Sequence, residues 1–327
     1  MVLRKKTVWE KLPRPFTVLA PMEAVTDTVF RRVVIKAGRP DLFFTEFTNV
    51  EGFNSVGNKV VGRRLSFQPE EKPLIAQVWG NNPKNLAKMA KELKKMGFDG
   101  IDLNMGCPVK TATKHASGAA LILNPELAGQ MIKAAKKGGL PVSVKTRLGY
   151  SKMEEWQDWL GFLLRQNIYA LTVHARTKKE MSKVPAHHEL FSKIVKLKNE
   201  IAPKTLVIGN GDIESREHGL SVAKKHGLDG VMIGRGIFQN ITCFRDEPLD
   251  LSLAESKKEL LGFFNYHLKL FKQELKLNPG KKFEPLKRFF KIYIRDFEGA
   301  SELRVKLMEC KNLEEVERVL KSCGGSL

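Results

Sequence analysis

Short apolar runs, mostly β-branched, recur along the chain, and each is followed by a segment whose apolar positions keep helical spacing. The runs are Val18–Met22, Leu42–Phe47, Leu74–Trp79, Gly100–Asn104, Val142–Thr146, Ala170–Val173, Thr205–Gly209 and Gly230–Ile233. Runs this short, lacking alternation, fit buried strands better than helices. Between them, Asn82–Met96 (NPKNLAKMAKELKKM) is amphipathic with a proline in its first turn, the place where a missing N–H does no harm. Pro125–Lys137 and Gly219–His226 read as helices in the same way. Strand and helix alternating eight times predicts a parallel (β/α)8 TIM barrel. The barrel would end near residue 240, close to the ~250 residues typical of that fold. A doubly wound open sheet is the competing arrangement. It would carry a Gly-x-Gly-x-x-Gly turn after its first strand, and Ala20-Pro21-Met22-Glu23 is no such turn.

Past the eighth run the pattern changes. Residues 241–252 (ITCFRDEPLDLS) hold a proline and mixed charges and read as a linker. From Leu253 the spacing is helical only, over Leu253–Lys276, Pro285–Arg295, Ala300–Glu309 and Leu313–Ser322. Pro279-Gly280 separates the first two. The expected organisation is a barrel over 1–240, a linker over 241–252 and a small all-α helical bundle over 253–327.

Charge adds a partner to this picture. The chain has 56 basic and 36 acidic residues among 327, a net charge of +20. Such an excess attracts polyanions, nucleic acid first among them. The bundle holds Lys281, Lys282, Lys287, Arg288, Lys291 and Arg295. The 4 cysteines, Cys107, Cys243, Cys310 and Cys323, have neither metal-ligand spacing nor a disulfide framework, so reduced thiols and no metal are expected. The N-terminus is basic without a signal peptide's apolar core, and no apolar run approaches the ~20 residues of a membrane span. A soluble, monomeric, cytoplasmic protein is the expectation.

Polar residues gather where the runs end. They are Pro21-Met22, Thr45-Glu46, Gln77, Asn104 with the Cys107 loop, Lys145 with Arg147, His174 with Arg176, Asn210-Gly211-Asp212 and Gly234-Arg235-Gly236. The carboxyl ends of barrel strands are where this fold places its active site. Unpaired polar groups there are costly unless they bind something. Two glycine-rich turns follow the seventh and eighth runs, the usual phosphate site of the fold. Their backbone N–H groups can approach phosphate oxygens, and Arg235 adds charge. Lys145 and His174 would then face the ring system of a phosphorylated cofactor, and Gln77 offers both a donor and an acceptor.

Asn104-Met105-Gly106-Cys107-Pro108 sets a thiol on a loop just past the fourth run. A basic stretch with Lys110 and Lys114 follows, and then Gly118-Ala119-Ala120-Leu121. This segment resembles the flavin-dependent tRNA-dihydrouridine synthases. Ala20-Pro21-Met22 with Thr26-Asp27 and Phe30-Arg31, Lys145-Thr146-Arg147-Leu148-Gly149, His174-Ala175-Arg176-Thr177, Gly209-Asn210-Gly211-Asp212-Ile213 and Gly234-Arg235-Gly236 match the family in order. Ala24 and Ala175 stand where the family commonly has glycine, and Met181–His188 lacks its usual aromatic and acidic residues. The resemblance implies FMN as cofactor and NADPH as electron donor. It places FMN against Pro21, Met22, Gln77, Lys145, His174, Asn210, Gly211, Asp212, Gly234 and Arg235. It places a tRNA uracil against Asn104, Lys145 and Arg176, with Cys107 as general acid. The barrel would then be the FMN-binding catalytic domain and the bundle the tRNA-binding one. The alternatives are a flavin oxidoreductase of the same fold acting on a free pyrimidine, and a reductase of rRNA uridine.

Overall fold

A computed structural model of the chain describes residues 6–109, 113 and 115–323, without the side chains of Lys59, Ala254 and Cys323. Lys110 and Lys114 therefore lie outside the described residues. Its strands are β1 (Phe16–Leu19), β2 (Phe43–Phe44), β3 (Thr48–Asn49), β4 (Leu74–Trp79), β5 (Gly100–Met105), β6 (Val142–Arg147), β7 (Ala170–His174), β8 (Leu206–Asn210) and β9 (Gly230–Ile233). All pair in parallel in one sheet ordered β1-β9-β8-β7-β6-β5-β4-β2, with β3 also on β4. A Val18–Leu42 bridge, with Leu19 N–H donating to Leu42 O, carries β1 round to the start of β2. With β2 and β3 counted as one stave, this is the expected (β/α)8 barrel.

Two strands depart from the pattern for visible reasons. β1 stops at Leu19, short of Met22. Pro21 has no N–H for the ladder, Met22 N–H goes to Thr26 Oγ1 at 2.9 Å, and Met22 O accepts from Val25 and Thr26. The second stave is broken at residues 45–47. There the Thr45 hydroxyl donates to Glu46 O and accepts from Gln77 N–H at 3.0 Å, standing in for a backbone carbonyl.

The helices form where the spacing placed them. In Pro83–Lys95, Leu86, Met89, Ala90 and Leu93 are buried, at i, i+3, i+4 and i+7. The Asn82 side chain caps it by accepting from Lys84 and Asn85 N–H. Burial of each large apolar side chain contributes ~1.5–3 kcal/mol. The helix expected from Gly219 starts earlier, at Arg216, because Ser215 caps it through His218 N–H.

The chain divides into two compact units. One holds residues up to Thr28 together with Pro40–Gly234; the other holds Val29–Arg39 and Arg235–Leu327. The second unit is helical around an aromatic core. Phe30 lies 4.7 Å from Phe289 by ring centroids, which ties Val29–Arg39 to it, and Phe264 stacks on Tyr293 at 5.3 Å. The segment expected as one helix over Pro285–Arg295 is a 3-10 turn, Glu284–Phe289, followed by the single α-turn Phe290–Tyr293.

Candidate active site at the carboxyl ends of the barrel strands

Strand register decides which polar side chains meet. Gln77 on β4 is paired with Asp102 on β5, and Asp102 with Ser143 on β6. One layer higher, Asn104 is paired with Lys145; above that, Arg147 is paired with His174 and His174 with Asn210. Within a strand these residues are two apart, so they share one face of the sheet.

The lower layer is a continuous hydrogen-bonded chain. Asp102 is fully buried and accepts from Ser143 Oγ at 2.6 Å and from Gln77 Nε2 at 2.7 Å. Gln77 Oε1 accepts from Asn104 Nδ2 at 3.0 Å. Asn104 Oδ1 accepts from the backbone N–H groups of Gly106 at 3.2 Å and Cys107 at 2.9 Å. Burial pushes the Asp102 carboxyl up to about 6, against the pull of its two donors and of Lys145.

The thiol loop and the cations sit on top. Cys107 is half-buried, and burial pushes its thiol pKa up while a hydrogen bond from the Val109 backbone, then the positive charges of Lys145 and Arg147, pull it down. Its carbonyl accepts from Ala119 N–H at 3.0 Å, which ties the loop to the Gly118–Leu123 turn. Lys145 is half-buried and makes no hydrogen bond or ion pair with another described residue; burial, then Arg147, lowers its pKa to about 8. Arg147 is buried and grips three carbonyls. Nε donates to Gly106 O at 2.8 Å, and Nη1 donates to Thr177 O at 3.0 Å and Met181 O at 2.9 Å.

The β7 loop is pinned over this floor. Arg176 is only 2% exposed. Its guanidinium donates to Val184 O at 2.6 Å, lies 3.2 Å from His174 Nε2 and forms an ion pair with Asp212. Asp212 also accepts Ala186 N–H at 2.9 Å, and His188 Nε2 donates to Gly211 O at 2.7 Å. The stretch Met181–His188 is thus held by Arg147, Arg176, Asp212 and Gly211, in place of the family's usual aromatic and acidic side chains. Gly211 has φ +114°, a backbone region that side-chain-bearing residues avoid. At Gly234 a Cβ would meet only Ala20 Cβ, at an ordinary contact distance of 3.6 Å.

Within the first unit the fold therefore gathers Gln77, Asn104, Cys107, Lys145, His174, Arg176, Asn210, Gly211 and Asp212 at the strand ends. Gly234 follows β9, and Arg235 opens the second segment of the helical unit. Pro21 and Met22 form the turn after β1. Sequence reasoning passed over Asp102, Ser143 and, as an anchor, Arg147. The signal was present: Asp102 and Asn104, then Ser143, Lys145 and Arg147, are polar at alternate positions of otherwise apolar strands. Glu46 is another. It is buried, accepts Ala24 N–H at 2.6 Å, and has its carboxyl pKa raised to about 7 by burial and then by the charges of Asp27 and Glu23. Ala24 has φ +53°, so the glycine common in the family suits its backbone, and the Glu46 bond holds alanine there.

A nearly closed (β/α)8 barrel carries a thiol loop, a half-buried lysine and a left-handed glycine turn at its carboxyl face, the face where enzymes of this architecture place their active sites. The family model for dihydrouridine synthase matches residues 18–324. A "Probable tRNA-dihydrouridine synthase" of Staphylococcus epidermidis is 52% identical over 317 residues, covering 97% of this chain and 96% of the relative. One of Staphylococcus aureus is 51% identical, covering 97% and 95%. "Probable tRNA-dihydrouridine synthase 2" of Bacillus subtilis is 51% identical, covering 95% of both chains. The chain belongs to the dihydrouridine synthase family and is a flavin-dependent oxidoreductase. Among the described residues no helix is long and apolar enough to cross a membrane, and no group of side chains could hold a metal ion.

Proposed function

We propose that this enzyme reduces the C5–C6 double bond of a uridine in tRNA, with FMN as its cofactor and NADPH as its electron source. The observation that carries the reading is the Cys107 loop. A thiol kept protonated by burial stands beside two cations, on a loop fixed by an amide at the end of its own strand. The residues present fit FMN. The positive φ of Gly211 and the missing side chain at Gly234 suit backbone that approaches a phosphate, with Arg235 next in sequence. The Lys145 ammonium, with no hydrogen-bond partner among the described residues, suits the anionic edge of a reduced flavin.

Held against these residues, FMN would supply the hydride chemistry at C6 of the uracil, with NADPH as the source of electrons. Cys107 then delivers its proton to C5. Burial raises the thiol's pKa, so the proton is present at neutral pH; Lys145 and Arg147 stabilise the thiolate left behind until solvent returns a proton. Asn104 presents its remaining N–H to a uracil oxygen, since its Oδ1 is taken by the loop. Arg176 orients His174 and Asp212. The base must leave its stack, at a cost of a few kcal/mol, which contacts to the RNA backbone offset.

The helical unit offers such contacts. Lys282, Arg288 and Lys291 are exposed, and a groove of about 890 Å³ is lined by Lys257, Lys258, Lys269 and Lys321. The cofactor assignment is tested by flavin retention. The purified protein should hold one FMN per chain, and Arg235→Ala should release it on dilution. A variant that keeps full flavin removes Arg235 from the phosphate site.

A further inference from the structure

We propose that Asp102 is a positioning residue. Through Gln77 and Asn104 its carboxylate fixes the direction of a chain of hydrogen bonds, and that chain sets the Cys107 loop. The inference deepens the reading above and rests on it for the role of the thiol.

The argument is one of donors and acceptors. An ionised carboxylate only accepts. Asp102 therefore forces the Gln77 NH₂ towards itself, 2.7 Å away, and the Gln77 carbonyl towards Asn104. That carbonyl accepts the Asn104 NH₂ at 3.0 Å. The Asn104 carbonyl is left facing the loop, where it takes the N–H groups of Gly106 and Cys107. Reversing any link would point the Asn104 NH₂ at two backbone N–H groups, a contact of donors alone. Asp102 is fully buried, two residues below Asn104 on β5, and its hydrogen bonds go to Ser143 and Gln77 rather than to the loop, so its influence passes along the chain of amides. Ser143 donates to its other oxygen at 2.6 Å and completes the anchor.

The same carboxylate has a second, separable duty. Asp102 pairs with Ser143, two residues before Lys145 on the same face of β6, so its charge, with that of Cys107 when ionised, opposes the burial and the Arg147 charge that push that lysine down to about 8. A cationic Lys145 exists below its pKa and is lost as pH rises through it. Removing the Asp102 charge should therefore bring the loss to lower pH.

Two variants separate the duties. Asp102→Ala removes the acceptor. Asp102→Asn removes only the charge, because the new amide can still accept from Gln77 while donating to the Ser143 hydroxyl, which can reverse. The first readout is hydrogen exchange followed by mass spectrometry on flavin-free protein, so it does not depend on the cofactor or substrate assignment. Asp102→Ala should speed exchange in the segment 104–109 by about tenfold, the equivalent of one lost hydrogen bond. Exchange in β6 and β8 should stay as in the wild type. A purely structural loss would speed all three, and that result, or unchanged exchange at 104–109, overturns the relay. Asp102→Asn should keep exchange at 104–109 near wild type. Its rate of tRNA-dependent flavin reoxidation should lose its high-pH limb about one unit earlier; an unmoved limb overturns the charge duty. Should Asp102→Ala not fold, Gln77→Met breaks the same chain nearer the thiol. It must give the same local acceleration, and wild-type exchange there overturns the relay as well.

Discussion

Replacing Arg147 by alanine tests whether the site is held together from beneath the β7 loop. The guanidinium makes three hydrogen bonds to carbonyls at 2.8–3.0 Å, one beside Cys107 and two in the Thr177–Met181 turn. Bonds from a charged donor contribute ~1.5–3 kcal/mol each. Against this, burial pushes the Arg147 pKa from 12.5 to about 10, so its removal returns about 3 kcal/mol. The freed carbonyls can reach water in part. The net loss should be about 2–4 kcal/mol, or roughly 5–10 °C in Tm for a unit of this size. Because the arginine joins the thiol loop to the β7 loop, the variant should also slow the protonation step while still binding flavin. The assays are thermal unfolding, flavin content, and anaerobic stopped-flow of reduced enzyme with unmodified tRNA. Arg147→Lys should recover little, since one compact ammonium cannot span the three carbonyls. A Tm within 2 °C of wild type together with a wild-type reoxidation rate would refute the reasoning.

Two further outcomes follow from the same geometry. Cys107→Ala should keep FMN and its reduction by NADPH but slow tRNA-dependent reoxidation on the order of a hundredfold, within the 10²–10⁴ of general acid catalysis; stopped-flow rates unchanged from wild type would return the thiol to a structural role. Charge reversal at Lys282, Arg288 and Lys291 should weaken tRNA binding, flatten its log-linear salt dependence and leave NADPH oxidation intact. Lys287 is a poorer choice, being paired with Glu284 at 3.2 Å.

The barrel was legible because its strands are buried on both faces and read as unbroken apolar runs. The helices over Pro83–Lys95 and Pro125–Lys136 were legible because an asparagine cap and a proline in the first turn mark where they begin. What escaped was the work of polar residues inside strands. Asp102 sits between Ile101 and Leu103 and looks like a lapse in an apolar run until register sets it beside Gln77 and Ser143. Arg176 is expected to touch substrate, and register alone does not show that its guanidinium also binds Val184 O and Asp212 beside His174. The placement of Val29–Arg39 with the helical unit was equally hidden. It depends on Phe30 reaching Phe289, a contact between residues far apart in sequence.

The central claim, reduction of a uridine in folded tRNA by way of the flavin, is tested most directly by a single turnover. Holoenzyme is reduced anaerobically with NADPH, freed of excess nucleotide and mixed with unmodified tRNA, and dihydrouridine is counted against flavin oxidised. The account predicts one dihydrouridine for each flavin reoxidised, at a rate that free uridine or UMP at the same concentration does not approach. Reoxidation without dihydrouridine, or equal reoxidation by the free pyrimidine, would contradict it.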